Sequence, residues 1–168
     1  EDGTVFASGG AARNQIFRFD LEGGAASTPW VTLDHPIFAM ALDGSGVLWA
    51  TTGGGPLLKL DATTGEILEQ FGDSITQAIA IHPEDGTIYV SSSAGIEIFD
   101  PVSETFEHFS DLRVGSLAFD NSGVLWAASW PDRGDIVRFN EQGEPELMLQ
   151  FDTPADSIAF GKAGTLLE

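Results

Sequence analysis

Ser116-Leu117-Ala118-Phe119-Asp120 runs into the turn Asn121-Ser122-Gly123, and the chain then continues as Val124-Leu125-Trp126-Ala127. The first stretch is small and apolar. The turn carries the residue types that accept positive φ, and the second stretch is apolar and aromatic, so the whole reads as a tight β-hairpin. The fold follows from what surrounds it, because the same hairpin occurs elsewhere in the chain. Its first strand (a) recurs as Ala39-Met40-Ala41-Leu42-Asp43, Ala78-Ile79-Ala80-Ile81-His82 and Ser157-Ile158-Ala159-Phe160-Gly161, with steps of 39, 38 and 41 residues between the four ends. Its second strand (b) recurs as Val47-Leu48-Trp49-Ala50 and Ile88-Tyr89-Val90-Ser91, and Val5-Phe6-Ala7 fits the same slot.

Two further segments complete each repeat. Strand c reads Ile16-Phe17-Arg18-Phe19-Asp20, Leu57-Leu58-Lys59-Leu60-Asp61, Ile96-Glu97-Ile98-Phe99-Asp100 and Ile136-Val137-Arg138-Phe139-Asn140. A charge between apolar residues suits a half-buried strand, and the terminal Asp or Asn starts a turn. In the third copy the charge sits one residue early. Segment d reads Trp30–Leu33, Ile67–Phe71, Phe106–Phe109 and Leu147–Phe151, and is amphipathic, as an outer edge should be. Four short strands per repeat of about forty residues is the pattern of a propeller blade. The expectation is therefore an all-β chain forming a single β-propeller domain or propeller segment, residues 1–168, with four antiparallel strands per blade. The repeats fall at 1–33, 34–72, 73–110 and 111–151, and the next starts at 152–168. Two architectures stand. In a closed four-bladed ring, the last strand a would complete the first blade, although Leu166-Leu167 would then compete with Val5-Phe6 for one slot. The other is part of a larger propeller, or an assembly of chains.

With seven basic and 26 acidic residues the net charge is −19. Such a field repels phosphate backbones and anionic lipid, so the reading excludes nucleic acid as a partner. No apolar run reaches the roughly 20 residues of a membrane span, which excludes insertion by a helix. Absence of Cys removes disulfides, thiolate metal sites and a Cys nucleophile. The opening Glu1-Asp2-Gly3 reads as a processed chain or one cut from something longer, and with the acidity it points to a secreted, periplasmic or cell-surface protein.

Asp120-Asn121-Ser122-Gly123-Val124-Leu125-Trp126 and Asp43-Gly44-Ser45-Gly46-Val47-Leu48-Trp49, with the turn Leu60-Asp61-Ala62-Thr63-Thr64-Gly65-Glu66-Ile67, resemble motifs of a broad propeller group. That group spans gluconolactonase-like, NHL, YVTN and virginiamycin B lyase-like proteins. The resemblance covers essentially the whole chain and implies the fold. Its members include lactonases, lyases, scaffolds and binding modules, so it implies no single activity. Gluconolactonase-like members hold a divalent metal with a Glu, two Asn and an Asp. The Asn residues of this chain are Asn14, Asn121 and Asn140, and the last two fall in turns, which counts against lactonase chemistry. The Glu and His constellation of the virginiamycin B lyase-like proteins does not map onto this chain.

Candidate sites gather at one end of the blades. Asp34, Asp73, Asp111 and Asp152 each precede the end of a strand a by nine residues. One carboxylate per blade forms either a ring of hard oxygen ligands suited to Ca²⁺ or a set of caps on the d-to-a turns. The b-to-c loops should share that face, and the one at Trp130-Pro131-Asp132-Arg133 departs most from its siblings. Trp130, Asp132 and Arg133, with Arg13 and His35, make a candidate platform for a small molecule, glycan or peptide. Asp34 beside His35 is the acid–base candidate. His82 stands where two repeats have Asp and reads as a turn residue, and His108 reads as exposed. The leading expectation is a non-catalytic ligand-binding or scaffold module, with self-association or a larger parent chain. The alternative is a metal-dependent lactonase-like hydrolase or lyase with a cation at the channel mouth.

Overall fold

The computed structural model describes residues 4–19, 28–131, 134–160 and 166–167. Sixteen strands and no helix occur among them. Strands β1 (Val5–Gly9), β2 (Gln15–Phe19) and β3 (Val31–Thr32) form one antiparallel sheet in chain order. Strands β4 (Ala39–Leu42), β5 (Val47–Thr51), β6 (Gly55–Asp61), β7 (Ile67–Ile81), β8 (Ile88–Ser92), β9 (Gly95–Asp100) and β10 (Thr105–Ser110) form a second, again in chain order. A third holds β11 (Val114–Phe119), β12 (Leu125–Ser129), β13 (Asp135–Phe139) and β14 (Pro145–Gln150). Last comes the pair β15 (Ala159–Phe160) and β16 (Leu166–Leu167).

These are the a-b-c-d meanders of the repeat, with one departure. Segment d of the second repeat and strand a of the third are one strand, β7. Its first part pairs with β6 (Leu57↔Phe71) and its last part with β8 (Ala80↔Tyr89). Gly72 and Ser74, both at positive φ, supply the bend between the two halves. The predicted turn at Asp73 is thus a kink inside a shared strand, which welds two blades into one seven-stranded sheet.

The ring does not close through β15. That strand pairs with β16 (Ala159↔Leu167, Phe160↔Leu166), and β1 pairs with β2. Leu166-Leu167 therefore takes the edge that Val5-Phe6 would have needed, since one strand edge accepts one partner.

Asp at the end of strand a organises each hairpin. Asp43 Oδ1 accepts from Ser45 N (2.9 Å) and Val47 N (3.0 Å), and Oδ2 accepts from Trp49 Nε1 (2.9 Å). Asp120 repeats this with Ser122 N (2.8 Å), Val124 N (3.0 Å) and Trp126 Nε1 (3.0 Å). The Asp-to-Trp motif is thus a fold device, in which one carboxylate satisfies both the turn and the indole. Burial works against the charge of Asp43, but the donors from Trp49, Ser45 and Val47 outweigh it and hold the carboxyl below its usual range. In the third repeat both members change together. His82 replaces Asp, Tyr89 replaces Trp, and His82 Nδ1 lies 3.1 Å from Asp85 within the turn. Strand c ends likewise: Asp61 Oδ1 accepts from Thr63 N and Thr64 N, and Asn140 Oδ1 from Gln142 N and Glu144 N.

The core lies between blades. Trp49, Leu57, Ile75, Ile88, Val90 and Phe99 fill the junction of the second and third meanders. Ile96, Val114, Leu125, Ala127, Val137 and Phe139 fill the next one.

Candidate functional site

The strand a segments of consecutive meanders lie side by side, because β7 contacts both β4 and β11, and β11 contacts β15. Their first residues surround a cleft of about 320 Å³. Phe38, Gln77, Gly115 and Asp156 hold one register position of the repeat in it, five residues before the strand ends, and Ala39, Ala78, Ser116 and Ser157 hold the next. Small residues at the second position keep the wall open. The first position differs in every repeat: a ring, an amide, no side chain and a carboxylate.

Hydroxyls at the ends of the b strands fix this wall. Buried Thr51 donates from Oγ1 to Gln77 O (3.0 Å), a bond that crosses from one blade to the next. Buried Ser91 accepts at Oγ from Gln77 N (3.0 Å) and Ala78 N (2.8 Å). Gln77 is therefore held on both backbone sides while its amide is left to the cleft. Ser116 Oγ accepts from Ile158 N (3.2 Å) and so ties β11 to the segment leading into β15. Phe38 is set by Gly53, at positive φ, whose missing Cβ leaves the space that the ring occupies.

Of the residues expected at the site, two border this cleft. Arg13 places its guanidinium over the Phe38 ring, 5.4 Å from the centroid, and its carbonyl accepts from Ile37 N (2.7 Å). Trp130 is half-buried and lies against Gly115, where an added Cβ would sit 3.6 Å from the indole and 3.9 Å from Gln77 Oε1. Its backbone N–H donates to Arg113 O (2.9 Å). His35 lies beside Gly55 and is not among the residues lining this cleft. Asp132 and Arg133 lie outside the described residues.

The four Asp are not brought together. Asp34, Asp73, Asp111 and Asp152 are all exposed, and among the described residues no three His, Asp or Glu side chains gather closely enough to hold a metal ion. Two have local roles instead: Asp73 Oδ1 accepts from Ser74 N (2.7 Å), and Asp111 Oδ1 lies 3.0 Å from His108 Nε2. The lining residues that sequence reasoning missed are Phe38, Gln77, Ser116 and Asp156. Their signal was present, in the position at which otherwise matched repeats diverge.

Antiparallel four-strand meanders laid side by side around a cleft formed by their innermost strands define a β-propeller architecture. Solved structures agree. The chain superposes on a gluconolactonase from Xanthomonas campestris with a TM-score of 0.72 at 17% identity, covering 91% of this chain and 61% of that one. It superposes on a virginiamycin B lyase from Staphylococcus aureus with a TM-score of 0.73 at 18% identity, covering 99% and 59%. The chain thus has the fold of the gluconolactonase- and virginiamycin B lyase-like propellers and spans about 60% of the length of these two. No protein-family model matches the sequence, and no curated protein matches it.

Proposed function

We propose that the chain forms the substrate-holding wall of a propeller hydrolase or lyase acting on a small, cyclic, polar substrate such as a lactone. The observation that carries this reading is the cleft itself. Its size suits a ligand of that class, and it sits in a fold shared with a gluconolactonase and a lyase. In this reading Phe38 and Trp130 stack on the ring, and the Gln77 amide and the Ser116 hydroxyl bind its oxygens. Arg13 steadies a carbonyl at the rim, and Asp156 moves the proton.

A second reading, a binding module without turnover, is favoured by the chemistry of the wall, since an amide, a hydroxyl and two rings hold a sugar or a peptide equally well. The acidic surface suits an exported or cell-surface setting for either reading.

The deciding experiment is a panel of sugar lactones, with and without EDTA, followed by pH-stat. Hydrolysis lost in Asp156→Asn supports the enzyme. Retention on immobilised glycan or peptide without turnover supports the module. Calorimetric titration of the EDTA-stripped protein with Ca²⁺ is expected to show no saturable site, and one ion bound per chain would return a cation to the channel mouth.

A further inference from the structure

A second cleft, of about 600 Å³, opens at the opposite end of the blades, where the a-to-b and c-to-d turns lie, between the third and fourth meanders. Tyr89, Phe109, Phe119 and Phe139 line it, with Asp85 and Glu141 among its polar residues. The preceding junction is packed with rings. There Trp49 (2% exposed) and Phe99 (0%) interlock with Phe71 and Phe106 at centroid distances of 4.8 to 6.0 Å. In the later junction Tyr89 stands in for Trp49, and Pro145, opposite Phe139, stands in for Phe106. A ring smaller than indole and the missing ring at the Phe106 position leave space, while Phe119 adds a ring where the preceding junction has Ile81.

The repeat shows what chemistry the opening lacks. In three meanders the b-strand aromatic faces a cation across the ladder: Phe6↔Arg18, Trp49↔Lys59 and Trp126↔Arg138. Arg18 and Lys59 lie 5.9 Å from the ring centroids of Phe6 and Trp49. In the third meander Tyr89 faces Ile98, because the charge of that strand is Glu97, one residue earlier. Among the described residues no Lys or Arg lines the cleft, and the imidazole that does, His82, is paired with Asp85 at 3.1 Å. The Tyr89 hydroxyl makes no side-chain hydrogen bond among the described residues. Burial, and after it the nearby Asp85 charge, push its phenol up.

We infer that this inter-blade cleft binds an organic cation, an alkylammonium or guanidinium group, seated on Tyr89 and its neighbouring rings where the other blades seat their own Lys or Arg. Aromatic faces with carboxylates at the rim attract such cations, and the net charge of −19 concentrates them at the surface. The inference does not depend on the function proposed for the channel cleft.

The probes are choline and its neutral isostere 3,3-dimethylbutan-1-ol, titrated by calorimetry. The ring resonances of Tyr89, the single tyrosine, locate the site. Choline is expected to saturate at millimolar concentration and to shift those resonances, and the isostere to bind about tenfold more weakly. Ile98→Lys, which rebuilds the internal cation of the sibling blades, is expected to abolish choline binding in a protein with unchanged circular dichroism. Tyr89→Trp should do the same by filling the cleft, and Asp85→Asn should weaken binding severalfold. Equal binding of the isostere, full binding by the folded Ile98→Lys protein, or a Tyr89 shift produced by glucose but not by choline would each overturn the inference.

Discussion

Replacing Asp43 by Ala removes the acceptor for Ser45 N, Val47 N and Trp49 Nε1 at once. The indole is the costly part. Trp49 is 2% exposed, so its N–H loses its partner with little compensation from water, and a buried unsatisfied donor costs about 1–3 kcal/mol. The turn bonds are open to solvent and resemble a lost cap, worth about 1 kcal/mol. Asp43→Ala should therefore destabilise by about 2–4 kcal/mol, a large share of the roughly 5–15 kcal/mol typical of a domain. In a Trp49→Phe background the donor is gone and only the turn component should remain, leaving a coupling of about 1–3 kcal/mol. Guanidinium melts of the wild type, both single variants and the double variant at pH 7 measure this. Trp126 is half-buried, so Asp120→Ala should cost less than Asp43→Ala. A coupling within error of zero, or a larger loss at Asp120, would refute the argument that the carboxylate serves the buried indole.

The folded Asp43 and Asp120 carboxyls are held below their usual range, so their contribution is present above the unfolded value near pH 4 and is lost as pH falls through the folded value. The stability difference between wild type and Asp43→Asn should accordingly shrink between pH 5 and pH 2 in thermal melts. Gly95→Ala should be among the most damaging single changes. Gly95 has φ 128°, and its Cβ would collide with the Ser110 carbonyl, so a loss of at least about 2 kcal/mol is expected in the same melts. Thr51→Val keeps the shape but removes the donor to Gln77 O. It should cost about 1–2 kcal/mol and should weaken any ligand held by Gln77, as calorimetry with a lactone that the cleft binds would record.

Much of this molecule was legible from its residues, because a repeat states its own boundaries. The four strands per unit, the Asp- and Asn-led turns and the small innermost strand all follow from period-two patterning and from residues that accept positive φ. Some symmetry breaks were visible, in the displaced charge at Glu97 and in His82 where two repeats have Asp, but that Tyr89 holds the position of Trp49 came from the ladder, with Ala80↔Tyr89 matching Ala41↔Trp49. Three things were decided only in three dimensions. Whether Asp34, Asp73, Asp111 and Asp152 converge depends on how blades are set around an axis, and equal spacing along the chain carries no such distance. Gly72 and Ser74 turn a predicted loop into a kink within β7, because pairing on both sides outweighs the local turn signal at Asp73. The two clefts arise where side chains from different repeats fail to fill the space between them. A sequence determines which face each side chain takes along its own strand. The volume left between neighbouring strands depends on the sum of residues some forty positions apart, and only packing computes that sum.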